Sequence, residues 1–310
     1  MLVEVKNVIK RYGDFLALDH MNFSIREGEI FGLLGPNGAG KTTTISILSG
    51  LTKFDDGEVS FLGKDISRHE NEVKRELGIV PQEIALFEDL TAYENLHYFG
   101  RLYGLKGSLL KERIEEALRF TGLVDRRTER PKGFSGGMKR RLNIACAILH
   151  HPKLIIMDEP TVGIDPQSRN HILQSIKELN RMGSSIIYTS HYMEEVEEIC
   201  SRIAIVDHGR VIAQGTKEEL TSLVSSEEKL VVDLSSVNYT VVEKIKEFHS
   251  VLECVVNGNQ LVVIGKKGEQ NVNRLIHTIT ESGLEILSLS IEKPSLESVF
   301  LTITGRSLRD

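Results

Sequence analysis

The stretch GPNGAGKTTT, residues 35 to 44, decides the fold of the chain. Its three glycines allow the backbone to wrap closely around a phosphate group. Lys41 brings a positive charge to the phosphate oxygens, and Thr42 offers a hydroxyl to Mg²⁺. An apolar run, IFGLLG, precedes the stretch and a helical pattern follows it. This is the strand, loop and helix order that a phosphate loop requires, whereas the alternative is a glycine-rich turn with an incidental lysine.

Length, composition and charge set the first limits on function. A chain of 310 residues can bury the cores of one large domain and one small domain. No apolar run approaches the roughly eighteen residues typical of a membrane helix, and the opening MLVEVKNV lacks a secretory pattern. We therefore expect a cytoplasmic location. The net charge of −6 predicts no general attraction to nucleic acid, and three widely spaced cysteines indicate neither a disulfide framework nor a zinc site.

The pattern of apolar residues around the loop predicts an α/β core. Residues 1 to 33 read as antiparallel strands that lead into a buried strand, and LGIVPQ reads as a further strand ending near Gln82. Helical periodicity dominates from about 83 to 150. Continuous apolar runs then return in KLIIMDEP and SSIIYTSH, as expected for strands buried on both faces, and a hairpin turns at His208-Gly209. A helical insert thus interrupts a phosphate-loop core that also has an antiparallel β part.

A second, smaller domain follows. Beyond LTSLVSSEEK the pattern reads as strand, helix, strand, strand, helix, strand, with a last helix in SLESVFLTIT. This order predicts a ferredoxin-like α+β domain. The expected domains are therefore 1–222 and 223–310. The second carries no phosphate loop and no cluster of titratable residues, so we interpret it as a binding, regulatory or assembly module.

Two adjacent carboxylates end the buried strand LIIMDEP. Asp158 lies where a carboxylate can hold Mg²⁺ through water. Successive strand side chains alternate in direction, so Glu159 points elsewhere and can orient or deprotonate an attacking water. The alternative is that both acids merely lie in solvent at a strand end. The phosphate loop in the same chain argues against it.

Three further residues are open to two interpretations each. His191 ends an apolar strand and either donates a hydrogen bond to the transferring phosphoryl group or is an ordinary strand-end histidine. Gln82 either reaches the metal or its water, or is a plain turn glutamine. Tyr12 either stacks its ring on adenine or packs on its strand neighbours.

A second possible phosphate cradle lies in KGFSGGMKRR, residues 132 to 141. Gly136 and Gly137 lead into a basic helix, so backbone N–H groups and a helix N-terminus are offered to an anion. One nucleotide does not obviously need two cradles.

Taken together, these stretches resemble the ATPase subunit of an ABC transporter. The resemblance covers residues 1 to about 220, and its motifs occur in the family's order and spacing. They are Tyr12 as the A-loop aromatic residue, GPNGAGKT as Walker A, Gln82 as the Q-loop, FSGGM as the signature, LIIMDE as Walker B, VGID with Asp165 as the D-loop, and His191 as the switch histidine.

The resemblance implies a Mg-ATPase that pairs head to tail with a second copy of itself, so that the signature of one subunit covers ATP on the phosphate loop of the other. Glu159, His191 and Gln82 would be catalytic, and Thr42, Gln82 and Asp158 would hold Mg²⁺. The implied ATP-binding residues are Tyr12, Gly35, Pro36, Asn37, Gly38, Ala39, Gly40, Lys41, Thr42, Thr43, Ser135, Gly136 and Gly137.

The departures from the family pattern point to a subgroup. Phe134 and Met138 replace the outer Leu and Gln of the usual Leu-Ser-Gly-Gly-Gln signature, and the usual Ser-Ala-Leu of the D-loop is missing although Asp165 is kept. With SLESVFLTITG near the end, the chain looks like the subunits that partner ABC-2 type permeases, which often export drugs or antibiotics. The implied place of the subunit is the inner face of the cell membrane, attached through an integral permease.

Two other functions compete with this interpretation. A soluble ABC ATPase acting on DNA or ribosomes is disfavoured, because the chain has neither a long coiled coil between phosphate loop and signature nor two ATPase units. A regulatory module that holds ATP without hydrolysing it is disfavoured by Glu159 and His191, which such a module could lack. No nucleic-acid partner is expected.

Overall fold

The computed structural model describes residues 1–190, 192–223, 227–266, 271–292 and 295–304. These residues divide into two compact units, and the boundary falls after Lys217. The second unit is Glu218–Thr302.

The first unit alternates strands and helices. In chain order its first elements are β1 (Val3–Tyr12), β2 (Phe15–Ile25), β3 (Ile30–Leu34), α1 (Lys41–Leu48), β4 (Asp56–Phe61), β5 (Lys64–Asp65), α2 (Glu70–Arg75) and β6 (Leu77–Val80). They are followed by α3 (Ala92–Leu102), α4 (Gly107–Phe120), α5 (Gly136–Ile148), β7 (Leu154–Asp158), α6 (Pro166–Arg181), β8 (Ser185–Thr189), α7 (Met193–Ile199), β9 (Arg202–Asp207) and β10 (Arg210–Gly215). Helix α8 (Lys217–Ser222) begins at the boundary.

Two sheets form the core of this unit. One is antiparallel, with strand order β2-β1-β4-β5. The other has the order β10-β9-β3-β8-β7-β6, in which β10 is antiparallel to β9 and the neighbouring pairs of the remaining strands are parallel. Strands β3 and β8 are buried along their whole length, which explains the apolar residues at successive positions of each strand. Apolar side chains of both sheets and of α1 form one cluster, in which Phe23 stacks on Phe31.

The parallel strands place their carboxyl ends along one edge. Strand β3 leads there into the glycine-rich loop, β6 into Gln82, β7 into Glu159 and β8 into Ser190. Ligands of open α/β sheets bind outside this edge. The expected α/β core with an antiparallel part is therefore present, and its geometry brings residues from distant parts of the sequence to one edge.

The first helix of the insert, α3, begins where the predicted helical stretch AYENLHYFGRLYGL begins. Strand β6 ends at Val80, and α3 starts only at Ala92. The buried amide of Asn95 holds the intervening segment in a loop, because its Oδ1 accepts from the backbone N of Phe87 and its Nδ2 donates to the carbonyls of Phe87, Leu90 and Thr91. Thr91 and Glu94 then form a capping box that starts the helix.

The second unit has the predicted ferredoxin-like order. Its elements are β11 (Glu227–Leu234), α9 (Tyr239–Lys246), β12 (Val251–Asn257), β13 (Gln260–Lys266), α10 (Asn271–Glu281), β14 (Ile286–Glu292) and α11 (Leu296–Thr304) up to Thr302. The strands form an antiparallel sheet in the order β12-β13-β11-β14. Helices α9 and α10 contribute to its core, which includes Leu230, Val232, Val242, Ile245, Leu261, Val263, Leu275 and Ile279.

Candidate active site

The glycine-rich loop, residues 35 to 40, joins the end of β3 to the start of α1. Gly40 takes a left-handed conformation with φ of 106° just before the helix, and an added Cβ would lie 2.7 Å from Leu18 Cδ2 and 2.9 Å from Ala17 O. Only glycine fits there without strain. The loop therefore delivers its backbone N–H groups and the N-terminus of α1 to one place, which suits an anion.

The ammonium group of Lys41 lies within this loop. Its Nζ donates to the carbonyls of Gly35 at 2.6 Å and Pro36 at 3.1 Å, and the side chain is buried. Burial lowers the pKa of Lys41, while the negative charges of Glu159 and Asp158 oppose that change. The lysine thus stays beside both carboxylates, where it can balance their charge and that of a phosphate.

The remaining predicted loop residues differ in exposure. Ala39 is buried under the loop, and Thr42 is exposed in the first turn of α1. The others are Pro36, which is buried, Asn37 and Gly38, which are exposed, and Thr43, which is half-buried.

The two carboxylates at the end of β7 point to different partners. Asp158 Oδ1 accepts a hydrogen bond from Thr189 Oγ1 at 2.7 Å. Glu159 is buried, has a left-handed φ of 48°, and its backbone N donates to the same hydroxyl at 2.9 Å. A non-glycine residue in this conformation stores strain, which is common at functional sites. The hydroxyl of Thr189 therefore fixes both residues, although no sequence pattern indicates this role.

Gln82 reaches this pair from the end of β6. Its Nε2 donates to Glu159 Oε2 at 3.0 Å, across 77 residues of sequence. Strand β6 pairs in parallel with β7, with Val80 opposite Met157, and so it brings Gln82 alongside the carboxylates. The described contact of the Gln82 side chain is thus with Glu159, and this contact orients the carboxylate.

The second glycine pair caps α5. Ser135 is the N-cap residue, and its hydroxyl accepts from the backbone N of Met138 at 3.2 Å. Gly136 is exposed, whereas Gly137 is buried against the start of α6. Helix α6 is itself capped by Asp165, whose carboxylate accepts from Ser168 N at 2.9 Å, and this bond lowers the pKa of Asp165.

The two glycines should respond differently to alanine. A Cβ on Gly137 would lie 2.2 Å from Ser168 Oγ and 2.5 Å from its Cβ, so we expect Gly137→Ala to lose about 1–3 kcal/mol of stability through overpacking. A Cβ on Gly136 would meet only Ile164 Cδ1 at 3.6 Å and Gly163 O at 4.0 Å. We expect Gly136→Ala to keep its melting temperature. Thermal unfolding of both variants checks this, and equal destabilisation would contradict the packing described here.

Tyr12 and His191 complete the predicted set. Tyr12 ends β1 with half of its surface exposed, and Lys10 Nζ lies 5.4 Å from the centroid of its ring. The ring is therefore accessible for stacking. His191 lies outside the described residues. Its neighbours in the chain are described: Ser190 Oγ donates to Glu195 Oε2 at 2.5 Å, and the ring of Tyr192 lies under the guanidinium of Arg169.

Glu195 is a buried centre that sequence reasoning missed. Its Oε2 accepts from the hydroxyls of Ser190, Thr161 at 2.9 Å and Tyr188 at 2.7 Å, and its Oε1 forms an ion pair with Arg169 Nε at 2.6 Å. Burial, together with this negative charge, raises the pKa of the Tyr188 hydroxyl. The Glu195 carboxylate therefore connects Thr161, in the segment after Glu159, to Tyr188 of β8 and to Ser190, the residue before His191. Glu195 is one of several acids in the sequence MEEVEEI, and that pattern gave no signal of this role.

The fold, the glycine-rich loop and the two carboxylates together define an ATPase of the phosphate-loop class. Comparison with known proteins identifies the family within that class. Residues 18–162 match the ABC transporter family model. The chain is 45% identical over 311 residues to the linearmycin resistance ATP-binding protein LnrL of Bacillus subtilis, and the match covers 100% of both chains. It is 35% identical to the Nod factor export ATP-binding protein I of Ralstonia nicotianae, over 100% of this chain and 95% of that protein.

A solved structure supports the same assignment. A dimeric ATP-binding cassette in a post-hydrolysis state, bound to ADP and phosphate, superimposes with a TM-score of 0.63 and 28% identity, over 69% of this chain and 98% of that one. The chain belongs to the ATP-binding proteins of ABC transporters and is an ATPase subunit. In the described part of the chain, no helix has both the length and the apolar character needed to cross a membrane.

Proposed function

We propose that the chain hydrolyses Mg-ATP as a head-to-tail dimer and thereby drives a separate membrane permease. The observation that carries this proposal is the meeting of a buried lysine, two carboxylates and an amide at one sheet edge: Lys41, Asp158, Glu159 and Gln82. Phosphoryl transfer needs positioned charge rather than covalent chemistry, and these side chains supply it.

Each of these residues has a distinct part in the proposal. Lys41 binds the phosphates, and Glu159 accepts the proton of the attacking water while Gln82 fixes the orientation of its carboxylate. His191 contacts the transferring phosphoryl group, and the half-exposed ring of Tyr12 stacks on adenine.

The residues at this edge also fit Mg²⁺. The hydroxyl of Thr42, the carboxylate of Asp158 and the amide oxygen of Gln82 are hard oxygen donors, and Mg²⁺ is usually held by one or two protein ligands plus phosphates. When bound, the ion neutralises charge on the phosphate oxygens. Thr189 holds Asp158 in place for this role.

The dimer gives the second cradle a purpose. Ser135, Gly136 and Gly137 cap a different helix from the one that follows the phosphate loop, and Gly136 is exposed. In the proposed dimer they close over ATP held by the other copy. A dimeric post-hydrolysis relative supports this arrangement.

The proposed cargo is a drug, an antibiotic or a lipid-like compound moved outward, with the subunit on the cytoplasmic face of the membrane through its permease. The names of the relatives, for linearmycin resistance and Nod factor export, support this direction. The test is efflux of linearmycin from cells that express the chain together with an ABC-2 type permease. Efflux that needs the permease but is unchanged by Glu159→Gln would contradict the proposal.

We further propose that the second unit serves assembly or regulation, because the proposed ATP-site residues all precede it. A chain cut after Val224 should bind ATP with similar affinity but lose dimer or permease association. ATP affinity, dimer fraction and permease co-purification of the cut and full chains check this. A folded but ATP-free cut chain would show that the second unit completes the nucleotide site, and changed turnover with intact assembly would indicate an effector-binding role.

A further inference from the structure

Arg140 joins the helix that follows the second cradle to the Gln82 segment. It lies in α5, five residues after Ser135, and only 3% of its surface is exposed. Its Nη1 donates to the carbonyl of Pro81 and its Nη2 donates to the carbonyl of Gln82. A planar guanidinium can grip two successive carbonyls in a fixed direction, which a single ammonium cannot do.

A second contact fixes α5 against strand β6, which leads into the Gln82 segment. An added Cβ on Gly78 of β6 would lie 2.4 Å from the carbonyl oxygen of Ala147, so helix and strand backbones touch there. Helix α5 is thus held at two points seven residues apart, one near each end. Of these two points, Arg140 lies nearer the N-terminal turn of the helix and is bonded to the Gln82 backbone.

The environment of Arg140 is costly for a residue with only a packing role. Burial lowers the pKa of its guanidinium, and the charge of Asp158 opposes this. Among the described residues, Nε has no hydrogen-bond partner and no carboxylate forms an ion pair with the side chain. An apolar residue would fill the same space without burying a charge.

We propose that Arg140 is a positioning residue that transmits the position of the Ser135-Gly136-Gly137 turn to the Gln82–Glu159 pair. This inference rests on the proposed function, in which that turn contacts the nucleotide of the other subunit. Closure of one site then sets the Glu159 carboxylate of the other site for attack. Arg140 itself touches neither nucleotide nor water.

The test is a double-mutant cycle on the ATPase rate of the full chain. Arg140→Lys keeps the charge but loses the fork, and we expect kcat to fall about tenfold with little change in KM. If Arg140 acts through Gln82, then adding Arg140→Lys to Gln82→Ala lowers kcat less than about twofold further. The Hill coefficient for ATP should also fall towards that of independent sites.

Arg141 offers a matched control on the same helix. Its Nη1 donates to the carbonyl of Thr121, within the helical insert, at 2.8 Å. Arg141→Lys should leave the Hill coefficient unchanged and should combine multiplicatively with Gln82→Ala. Thermal unfolding and ATP affinity confirm folding, and Arg140→Gln replaces Arg140→Lys if the lysine variant does not fold.

The inference would be overturned if Arg140→Lys lowered kcat by the same factor with and without Gln82→Ala. Equal Hill coefficients for the Arg140→Lys and Arg141→Lys variants would also overturn it. Its failure is distinguishable from failure of the proposed function. If Glu159→Gln stops hydrolysis but the Arg140 and Gln82 substitutions lower kcat independently, only the proposed role of Arg140 is wrong. If Glu159→Gln hydrolyses normally, the proposed catalytic role is wrong.

Discussion

Glu159→Gln should bind ATP as the unchanged chain does but hydrolyse it roughly 100- to 10,000-fold more slowly, the range that a positioned general base contributes. The amide keeps the shape of the carboxylate, and its oxygen can still accept the hydrogen bond from Gln82 Nε2. It cannot take a proton from water. The nucleotide-bound variant should therefore stay closed and elute as a dimer in size-exclusion chromatography.

The control for this variant is Glu194→Gln, which changes the charge by the same amount at a side chain that is 89% exposed. It should hydrolyse ATP at close to the normal rate. The measurements are single-turnover hydrolysis and ATP affinity for both variants. Near-normal turnover by Glu159→Gln would move the role of base to another residue.

Mixed dimers test whether the two cradles serve one nucleotide across an interface. With Ser135→Arg on one chain and Lys41→Ala on the other, both changes fall on the same composite site, so the second site remains intact. Single-turnover hydrolysis should then reach about half of the normal amount, if the sites act independently. Ser135→Arg is expected to prevent the turn from closing over the ATP of the other copy, because Ser135 lies at the N-terminus of α5 beside exposed Gly136.

The matched control places both changes on one chain and pairs it with an unchanged copy. Each composite site then carries one defect, and hydrolysis should be nearly lost. If both cradles of a chain served its own nucleotide, the order of the two results would be reversed. Tagging the two chains differently and purifying through both tags gives the required mixtures.

Local signals predicted much of this molecule. The phosphate loop needs residues that are neighbours in the chain, and apolar runs identify β3, β7 and β8 because both faces of these strands are covered. Helix α6 is absent from the predicted elements, although Asp165 followed by Pro166 is a typical helix start. The loop before α3 depends on a tertiary contact, the buried amide of Asn95, which no local sequence pattern reveals.

The site residues that escaped prediction have long-range partners. Thr189 meets Glu159 across 30 residues, Glu195 meets Thr161 across 34, and Arg140 meets Pro81 across 59. A threonine in a strand or an arginine in a basic helix has many ordinary explanations, and only the folded chain distinguishes them. Sequence patterns therefore identified the groups proposed to touch ATP, but not the groups that hold them.

The hydroxyl cluster around Glu195 has a consequence for how this part of the molecule opens. One carboxylate oxygen accepts from Thr161, Tyr188 and Ser190, which belong to separate segments. Releasing any one of them weakens the arrangement of the others, because a buried carboxylate that loses donors becomes costly. We therefore expect the Thr161 segment and the end of β8 to open locally as one cooperative unit, so that their backbone amides exchange with solvent at similar rates.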